Sequence, residues 1–388
     1  MQALRAFAYG VGSVLIGVGL AQSPLSGAEV GLVFAAILLG AALSSVLLGR
    51  YGDRLGRRAA YRVLFVLMAL AGAVFALTES LALLMLAALT GTISTDVVES
   101  GPFTSLEQAM LPQTAAPDRV PSLFGAYNTV ATLVGSLGAL AAALPALLDV
   151  GPARRWLLVY PLAALVALAV VARLSDAVEP PRQDTARSPG RLSRSRGIVQ
   201  RMSVLFALDS FGGGFVIQSF LAYWFTRRFD ASPETLAVVF FAIGLLQAGS
   251  FQVAIRLAEH IGLLRTMVFT HLPSNLLLVA VPFAPNLASA IALLLARFLL
   301  SQMDVPARQA YVVAVVEPDE RTAAAAYTNS ARYVTRPVAP ILAGALVQAS
   351  TLAAPFVIAG TLKSIYDLCF WQMFKRVPLE PGSAPPAS

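Results

Sequence analysis

Charged side chains are scarce in this sequence. Asp, Glu, Lys and Arg make up 13% of the 388 residues, whereas hydrophobic residues make up 57% and the mean hydropathy is +0.73. A soluble globular domain carries about 25% charged residues, so this chain has too few of them to cover a surface that faces water. The composition therefore excludes an ordinary soluble protein and predicts a chain embedded in lipid.

Cysteine and histidine are almost absent as well. Cys369 is the single cysteine, which excludes a disulfide framework or a cysteine metal site within one chain. His260 and His271 are too few for a metal cage, and the sequence contains no GxxxxGKS/T phosphate loop. No nucleophile, base and orienting acid occur together, so we expect no enzyme activity, no metal, no cofactor and no ATP hydrolysis.

Long apolar runs are what the sequence has in abundance. Runs of this length cross a bilayer as helices, so the predicted fold class is an all-α membrane protein with twelve transmembrane helices. A polar stretch rich in Ser, Pro and Arg separates six runs from six more, and this composition indicates a linker. The runs lie at 6–22, 29–49, 60–78, 81–110, 122–148 and 156–173, then at 202–225, 233–255, 263–284, 287–312, 322–349 and 354–374.

The two sets of six runs resemble each other in sequence. A repeat of six spans in the same direction implies a pseudo-twofold axis along the membrane normal. We therefore predict two six-helix bundles, at 1–173 and 202–376, joined by a cytoplasmic linker at 174–201 and followed by a disordered cytoplasmic tail at 377–388. The repeat is carried by Gln108-Ala109, Pro117-Asp118 and Asn128, which recur 201 positions later as Gln309-Ala310, Pro318-Asp319 and Asn329.

The basic residues predict the orientation in the membrane. Arginine and lysine concentrate in the loops after the even-numbered runs and in the linker, and loops rich in these residues stay in the cytoplasm. Both termini are therefore expected inside the cell, and the Ala- and Arg-rich composition favours a bacterial inner membrane. The formal charge of +7 comes from these loops, so we expect no nucleic-acid partner. The expected partners are the lipid bilayer and a small-molecule substrate, and the expected state is a monomer.

The segment that follows the second run carries the most specific motif. It reads Gly49-Arg50-Tyr51-Gly52-Asp53-Arg54-Leu55-Gly56-Arg57-Arg58. This segment resembles the G-x-x-x-D-R-x-G-R-R/K signature of the major facilitator superfamily, and a weakened copy at 256–265 keeps an acid, a glycine and an arginine. A glycine permits a tight turn and a carboxylate pairs with arginine or a helix N-terminus. We expect a conformational latch formed by Gly49, Asp53, Arg54, Gly56, Arg57 and Arg58.

Ionisable side chains inside the predicted spans are costly in lipid and therefore point to a function. Asp96 and Glu99 are three residues apart and are expected to share one helical face of span four. Span ten carries Arg297, the repeat counterpart of Asp96, followed by Asp304 and Arg308. Since burial raises a carboxyl pKa, Asp96, Glu99 and Asp304 are the candidates for proton coupling. The alternatives are a packing role for the span-four acids, direct binding of a cationic substrate by the same acids, and a purely structural pair of Asp304 with Arg308.

Other polar side chains are expected to line a substrate cavity. Arg332 and Arg336, four apart on span eleven, suit an anionic group or the acids of span four, although Arg332 has the alternative of snorkelling to the cytoplasm. Lys363 and Asp367 are expected to form a private pair on span twelve. The cavity candidates are Arg297, Arg332, Arg336, Gln218, Gln247, Asp209, Asn128, Asn329 and Tyr9, of which Asp209 has the alternative of a polar residue near the entrance.

The resemblance implies a secondary active transporter that works by alternating access and draws its energy from a proton gradient. By analogy with compact bacterial antiporters of this family, we predict proton-coupled export of small amphipathic or organic compounds. Uptake or facilitated transport of an organic anion is the alternative, favoured by Arg297, Arg332 and Arg336. A membrane receptor or scaffold that transports nothing is the alternative from another class.

Overall fold

A computed structural model describes residues 1–96, 101–111, 120–149, 151–173, 192–317, 320–349 and 351–377. Within these ranges the side chains at 49, 52–55, 108–109, 120–122, 124–125, 313 and 322 are not described. The described residues are helical with short connections and contain no strand. The predicted linker at 174–201 and tail at 377–388 lie largely outside the described residues.

Seventeen α-helices occur in the described part of the chain. Two short 3₁₀ helices, Ala153–Leu158 and Val281–Phe283, join some of them. The α-helices are α1 (Gln2–Gln22), α2 (Gly27–Leu55), α3 (Arg57–Leu77), α4 (Leu81–Leu89), α5 (Pro102–Met110), α6 (Val120–Ala141), α7 (Leu144–Leu147), α8 (Val159–Ala172), α9 (Arg196–Gly214), α10 (Gln218–Phe229), α11 (Pro233–Ile261), α12 (Leu263–Ala280), α13 (Leu287–Ser301), α14 (Asp304–Ala314), α15 (Arg321–Thr335), α16 (Val338–Gln348) and α17 (Ala354–Phe374).

Nine stretches of the described chain are long and apolar enough to cross a membrane. They correspond to predicted spans one to three and five to ten. Span four is interrupted because α4 ends at Leu89 and α5 begins only at Pro102, and span eleven is divided into α15 and α16 around Pro337. The helix of span twelve, α17, is continuous, but Lys363 and Asp367 lower its mean hydropathy.

Matching glycine turns occur at the motif and at its weakened copy. Gly56, between α2 and α3, has φ 80° and ψ 140°, and Gly262, between α11 and α12, has φ 86° and ψ 158°. This backbone region is accessible essentially to glycine alone. The same turn at both places supports the repeat that the sequence predicts.

The described residues pack into two compact units. The first comprises those within 1–184, Ile217–Leu245 and Pro340–Leu352, and the second comprises those within 185–216, Leu246–Ala339 and 353–388. These units follow packing and combine segments from both predicted bundles. The boundaries predicted from the sequence divide the chain by the order of its spans and not by packing, so they stay a prediction.

Helices of the first unit approach one another closely at small residues. A Cβ atom on Gly17 of α1 would lie 2.1 Å from the carbonyl oxygen of Ser219 on α10, and one on Gly31 of α2 would lie 2.5 Å from the carbonyl oxygen of Pro340 beside Gly344 on α16. Small residues permit such backbone contact between membrane helices. Segments from the first and second halves of the sequence therefore meet directly within this unit.

An aromatic core holds the helices of the second unit together. Phe206 of α9 stacks on Phe370 of α17 with ring centroids 5.8 Å apart, and Phe370 stacks on Phe374 at 4.5 Å. Tyr311 of α14 packs edge-on against Phe370 at 5.7 Å. These contacts fix α9, α14 and α17 against one another, which positions the polar residues that the same helices carry.

Candidate functional site

Asp209 is the centre of a buried group of charged side chains in the second unit. Its carboxylate on α9 is 3% exposed and accepts a hydrogen bond from Lys363 Nζ of α17 at 2.5 Å. Arg308 Nη1 of α14 and Arg332 Nη1 of α15 each lie 3.4 Å from Asp209 Oδ2. A buried carboxylate is stable only when cations and donors surround it, and here α14, α15 and α17 supply three cations.

Arg308 connects Asp209 to a second carboxylate. Its Nη1 donates to Asp304 Oδ2 at 3.1 Å, one turn earlier on α14, and its guanidinium lies 5.7 Å from the ring centroid of Phe206. Asp304 is 4% exposed. The pair of Asp304 with Arg308 thus forms as the helical spacing suggests, while a proton-carrying role for Asp304 stays a prediction.

His271 of α12 lies between two carboxylates. Its Nδ1 is 2.9 Å from Asp367 Oδ1 of α17, and its Nε2 is 3.9 Å from Asp209 Oδ1. Asn275, one turn later on α12, donates from Nδ2 to Asp367 Oδ2 at 2.8 Å. The predicted private pair of Lys363 with Asp367 is therefore wrong. The two side chains turn to different partners on neighbouring helices.

We call Asp209, His271, Asp304, Arg308, Arg332, Lys363 and Asp367 the charged cluster. Among these described residues the three carboxylates balance the two guanidiniums and the ammonium, so the cluster is neutral when His271 is neutral. A proton bound to His271 adds one positive charge to this balanced set.

A cavity of about 1020 Å³ in the second unit is lined by residues of α9, α15 and the segment before α9, and its lining contains no member of the charged cluster. Ala207 and Ala331, close in sequence to Asp209 and Arg332, are part of its wall. The side chain of Arg332 is 27% exposed, against 12% for Arg308 and 10% for Lys363. The cluster is therefore most accessible at Arg332. The remaining lining residues are Leu192, Arg196, Val199, Gln200, Ser203, Val204, Tyr327, Ser330, Val334 and Thr335.

The first unit holds a smaller buried charge pair. Arg5 of α1, 1% exposed, donates from Nη1 and Nη2 to the two carboxylate oxygens of Glu107 on α5 at 2.8 and 2.7 Å. The hydroxyl of Tyr127 on α6 donates to the same carboxylate, and the Arg5 guanidinium lies 4.7 Å from the ring centroid of Phe103. Both oxygens of the Glu107 carboxylate thus accept hydrogen bonds from the guanidinium of Arg5, which makes this a bidentate ion pair.

Asp96 does not lie on a helix. It is half-buried in the segment after α4, and its Oδ1 accepts a hydrogen bond from the backbone N–H of Gln218, at the start of α10, at 3.1 Å. Gly91, at φ 72°, marks the place where the helix has ended. The predicted helical face shared with Glu99 is therefore wrong for Asp96, and Glu99 lies outside the described residues.

The other predicted cavity residues are distributed over several helices. Tyr9 is 1% exposed and donates to the carbonyl oxygen of Thr92 at 3.2 Å. Gln247 is half-buried on α11, and Arg336 is half-buried at the end of α15. Asn128 on α6 and Asn329 on α15 are exposed. Thus Asp209, Asp304 and Arg332 share one cluster, and Asp96 contacts Gln218.

The predicted latch is described only in part. Gly56 makes the turn, Arg57 is 5% exposed at the start of α3, and Arg58 is half-buried. Gly49, Asp53 and Arg54 lie on α2, but their side chains are outside the described residues. The latch function stays a prediction.

Arg297 is deeply buried on α13. It is 8% exposed, and its guanidinium lies 4.5 Å from the ring centroid of Phe298. No described residue makes a hydrogen bond to its Nε. Its position differs from that of Arg308, which has carboxylates within reach.

Comparison with known proteins identifies the architecture. The family model of the Major Facilitator Superfamily matches residues 1–303. An uncharacterized membrane protein of Saccharomyces cerevisiae is 26% identical over 413 residues, covering 96% of this chain and 92% of that protein.

Solved structures give the same result at lower identity. The nucleoside transporter NupG has a TM-score of 0.75 at 14% identity, covering 96% of this chain and 98% of its own. A bacterial homolog of the human lysosomal transporter Spinster scores 0.76 at 16% identity, covering 98% and 97%. The xylose transporter XylE from E. coli scores 0.74 at 15%, covering 99% and 96%. The predicted all-α membrane fold is confirmed.

Proposed function

Because the chain belongs to the Major Facilitator Superfamily, we propose that its charged cluster couples proton movement to the transport of a small molecule. Secondary transport by alternating access follows from the family and the fold. Our proposal adds that the coupled ion is a proton, and it concerns the residues that carry this proton, the substrate and the direction of transport.

One observation carries the proposal: His271 lies between Asp367 and Asp209 in a cluster that is otherwise balanced in charge. A proton that binds at Nε2 faces Asp209, where it competes with Lys363 for the same carboxylate oxygen. Such competition weakens the ion pair of Lys363 with Asp209, which links α17 to α9. Loading a proton therefore changes the interactions that hold these helices together, as coupling requires.

The helices tied by the cluster are suited to movement. The span that carries Asp209 is interrupted between Gly214 and Gln218, and the span that carries Arg332 is interrupted near Pro337. Interrupted helices in transporters permit one half of a span to move relative to the other. A change in the ion pairs of the charged cluster therefore acts on α9 and α15, which end at Gly214 and Thr335 within their spans.

Proton flux in proteoliposomes tests this function. A pH-sensitive dye inside the vesicles reports proton movement while lipophilic cations, organic anions and neutral drugs are added in turn. We expect one class to drive proton flux in the wild type, and His271→Gln to abolish that flux because the exchangeable proton site is gone. Substrate movement measured with labelled compound separates loss of coupling from loss of transport.

His260→Gln is the matched control. His260 is exposed at the end of α11, with Nδ1 2.7 Å from the carbonyl oxygen of Arg256, and it is the only other histidine in the sequence. Its replacement is expected to leave proton flux unchanged. Full proton flux in His271→Gln contradicts coupling through the cluster, and substrate movement without protons in the wild type contradicts coupling altogether. Movement of no compound in any class favours the receptor or scaffold.

Export of amphipathic compounds stays a prediction that rests on resemblance. The bacterial inner membrane stays a prediction from composition, and the cytoplasmic termini stay a prediction from the distribution of basic residues. The organic-anion alternative concerns the substrate, and it is compatible with proton coupling. The buried guanidinium of Arg297 is the specific observation that favours an anionic substrate.

A further inference from the structure

Arg297 is a buried arginine for which the described residues supply no carboxylate. It is 8% exposed, its Nε is enclosed without a hydrogen-bond partner among the described residues, and its guanidinium lies 4.5 Å from the ring centroid of Phe298. Burying an ionised group without a counter-charge strongly destabilises a protein. A residue placed in this way needs a counter-ion from another source.

Three other buried cations of the described chain each have a carboxylate partner. Arg5 has Glu107 at 2.7 Å, Arg308 has Asp304 at 3.1 Å, and Lys363 has Asp209 at 2.5 Å. At each of these places a carboxylate of the chain neutralises the cation. Arg297 therefore differs from these three cations, because no carboxylate of the described residues neutralises it.

Two further unsatisfied hydroxyls lie on α13 and on the helix that packs against it. Ser301 is one turn later on α13, so it shares the helical face of Arg297, and its Oγ is also enclosed without a described partner. Ser274 on α12, the helix that packs against α13, has an enclosed and unpartnered Oγ as well. A guanidinium with neighbouring hydroxyls is a donor set that suits an oxyanion.

We propose that Arg297, together with Ser301, binds the anionic group of the transported substrate, a carboxylate or a similar oxyanion. The guanidinium presents a fork that matches two oxygens, while the face of Phe298 keeps its plane in position. This inference rests on the proposed transport function and names its substrate class. It also assigns separate tasks: Arg297 takes the anion, and the charged cluster takes the proton.

The first test needs no ligand. Purified Arg297→Met is compared with the wild type by thermal unfolding in detergent, without added anions. Removing an uncompensated buried charge is expected to raise the apparent melting temperature by about 2–4 °C. Arg5→Met is the control, and it is expected to lower the melting temperature because Glu107 loses its partner. A decrease for Arg297→Met like that for Arg5→Met overturns the proposal, since it reveals a structural partner.

The second test measures ligand stabilisation of the same proteins at constant ionic strength. The probes are benzoate, succinate, inorganic phosphate and benzenesulfonate, with benzamide, succinamide and benzylamine as neutral or cationic counterparts. We expect at least one anion, but none of the counterparts, to stabilise the wild type. Arg297→Met is expected to lose this effect, and Arg297→Lys to keep a weaker one because lysine lacks the fork.

Equal effects of all anions on the wild type and Arg297→Met overturn the anion site. Stabilisation by phosphatidylglycerol with none by the soluble anions assigns Arg297 to lipid and overturns its role with substrate. These measurements use no proton gradient, so a failure of coupling through His271 leaves their outcome interpretable. Conversely, loss of the anion site leaves proton coupling to be judged by the flux assay alone.

Discussion

The two units keep buried charge in different ways. The first unit holds a closed pair, in which Glu107 accepts two hydrogen bonds from Arg5 and a third from Tyr127. The second unit holds an extended network, in which Asp209 shares its two oxygens among Lys363, Arg308, Arg332 and His271. In the closed pair each group depends on one main partner, whereas in the network a change at Asp209 affects four partners at once.

The repeat shows how the two arrangements are related. Adding 201 to Glu107 gives Arg308, so the charge changes sign between these two equivalent positions. Arg308 has the acids Asp209 of α9 and Asp304 of α14 as partners, whereas Glu107 has the cation Arg5 of α1. The comparison assigns a fixed role to the first unit and a responsive one to the second.

Asp209→Asn is expected to have the largest effect. It leaves the cations of Lys363, Arg308 and Arg332 without their shared carboxylate, so we expect a loss of about 3–5 kcal/mol in the free energy of unfolding and no proton flux. Thermal unfolding and the proteoliposome assay measure the two effects. Asp230→Asn is the control, since Asp230 is an exposed helix cap at φ 52° that Asn also adopts.

The double variant Asp209→Asn with Lys363→Met separates stability from function. Removing the orphaned ammonium is expected to restore part of the stability while proton flux stays absent. Restored flux in this variant contradicts a role for Asp209 in coupling.

Arg5→Met is expected to affect stability alone. Loss of the fork leaves Glu107 buried without its cation, at a cost of about 3 kcal/mol in the free energy of unfolding. Transport per folded molecule is expected to stay near the wild-type value, measured below the melting temperature. Arg5→Met with Glu107→Gln is expected to recover part of the stability. A selective loss of proton coupling in Arg5→Met removes the distinction between the two units.

Much of the fold is predictable from the sequence because its signals are local. Span positions depend on apolar length, and the motif turn depends on a glycine such as Gly56 or Gly262, whose backbone angles few other residues adopt. Interruptions leave a shorter signal. α4 ends at Leu89, where Thr90-Gly91-Thr92 replaces the apolar residues, and this turn composition rather than the length of the run indicates that Asp96 lies outside the helix.

The partners of buried charges are not local, and the sequence predicts them poorly. Helical spacing places Lys363 and Asp367 on one face of α17, but Asp209 and His271 on neighbouring helices offer closer partners. The role of His271 was missed for the same reason. A histidine in the middle of an apolar run, with Asn275 one turn later, is the available signal. Arg5 was also missed, because an arginine before the first apolar run resembles an ordinary topology signal.

The smallest expected effect concerns a carboxylate clamp outside the spans. Glu320 accepts hydrogen bonds from the backbone N–H groups of Ser193, at 2.6 Å, and Ser195, at 2.8 Å, and these hold its pKa at about 2. Because the folded pKa is depressed, the contribution to stability is complete above the ordinary carboxyl pKa of about 4.3 and is lost as pH falls toward about 2. Glu320→Gln is therefore expected to lower the melting temperature slightly at pH 7, and the difference from wild type should narrow below about pH 4. Glu317→Gln is the control, since its exposed contact with Arg194 at 3.9 Å contributes little. A difference that does not change with pH assigns the effect to side-chain shape, and the segment before α9 is then held without help from the charge.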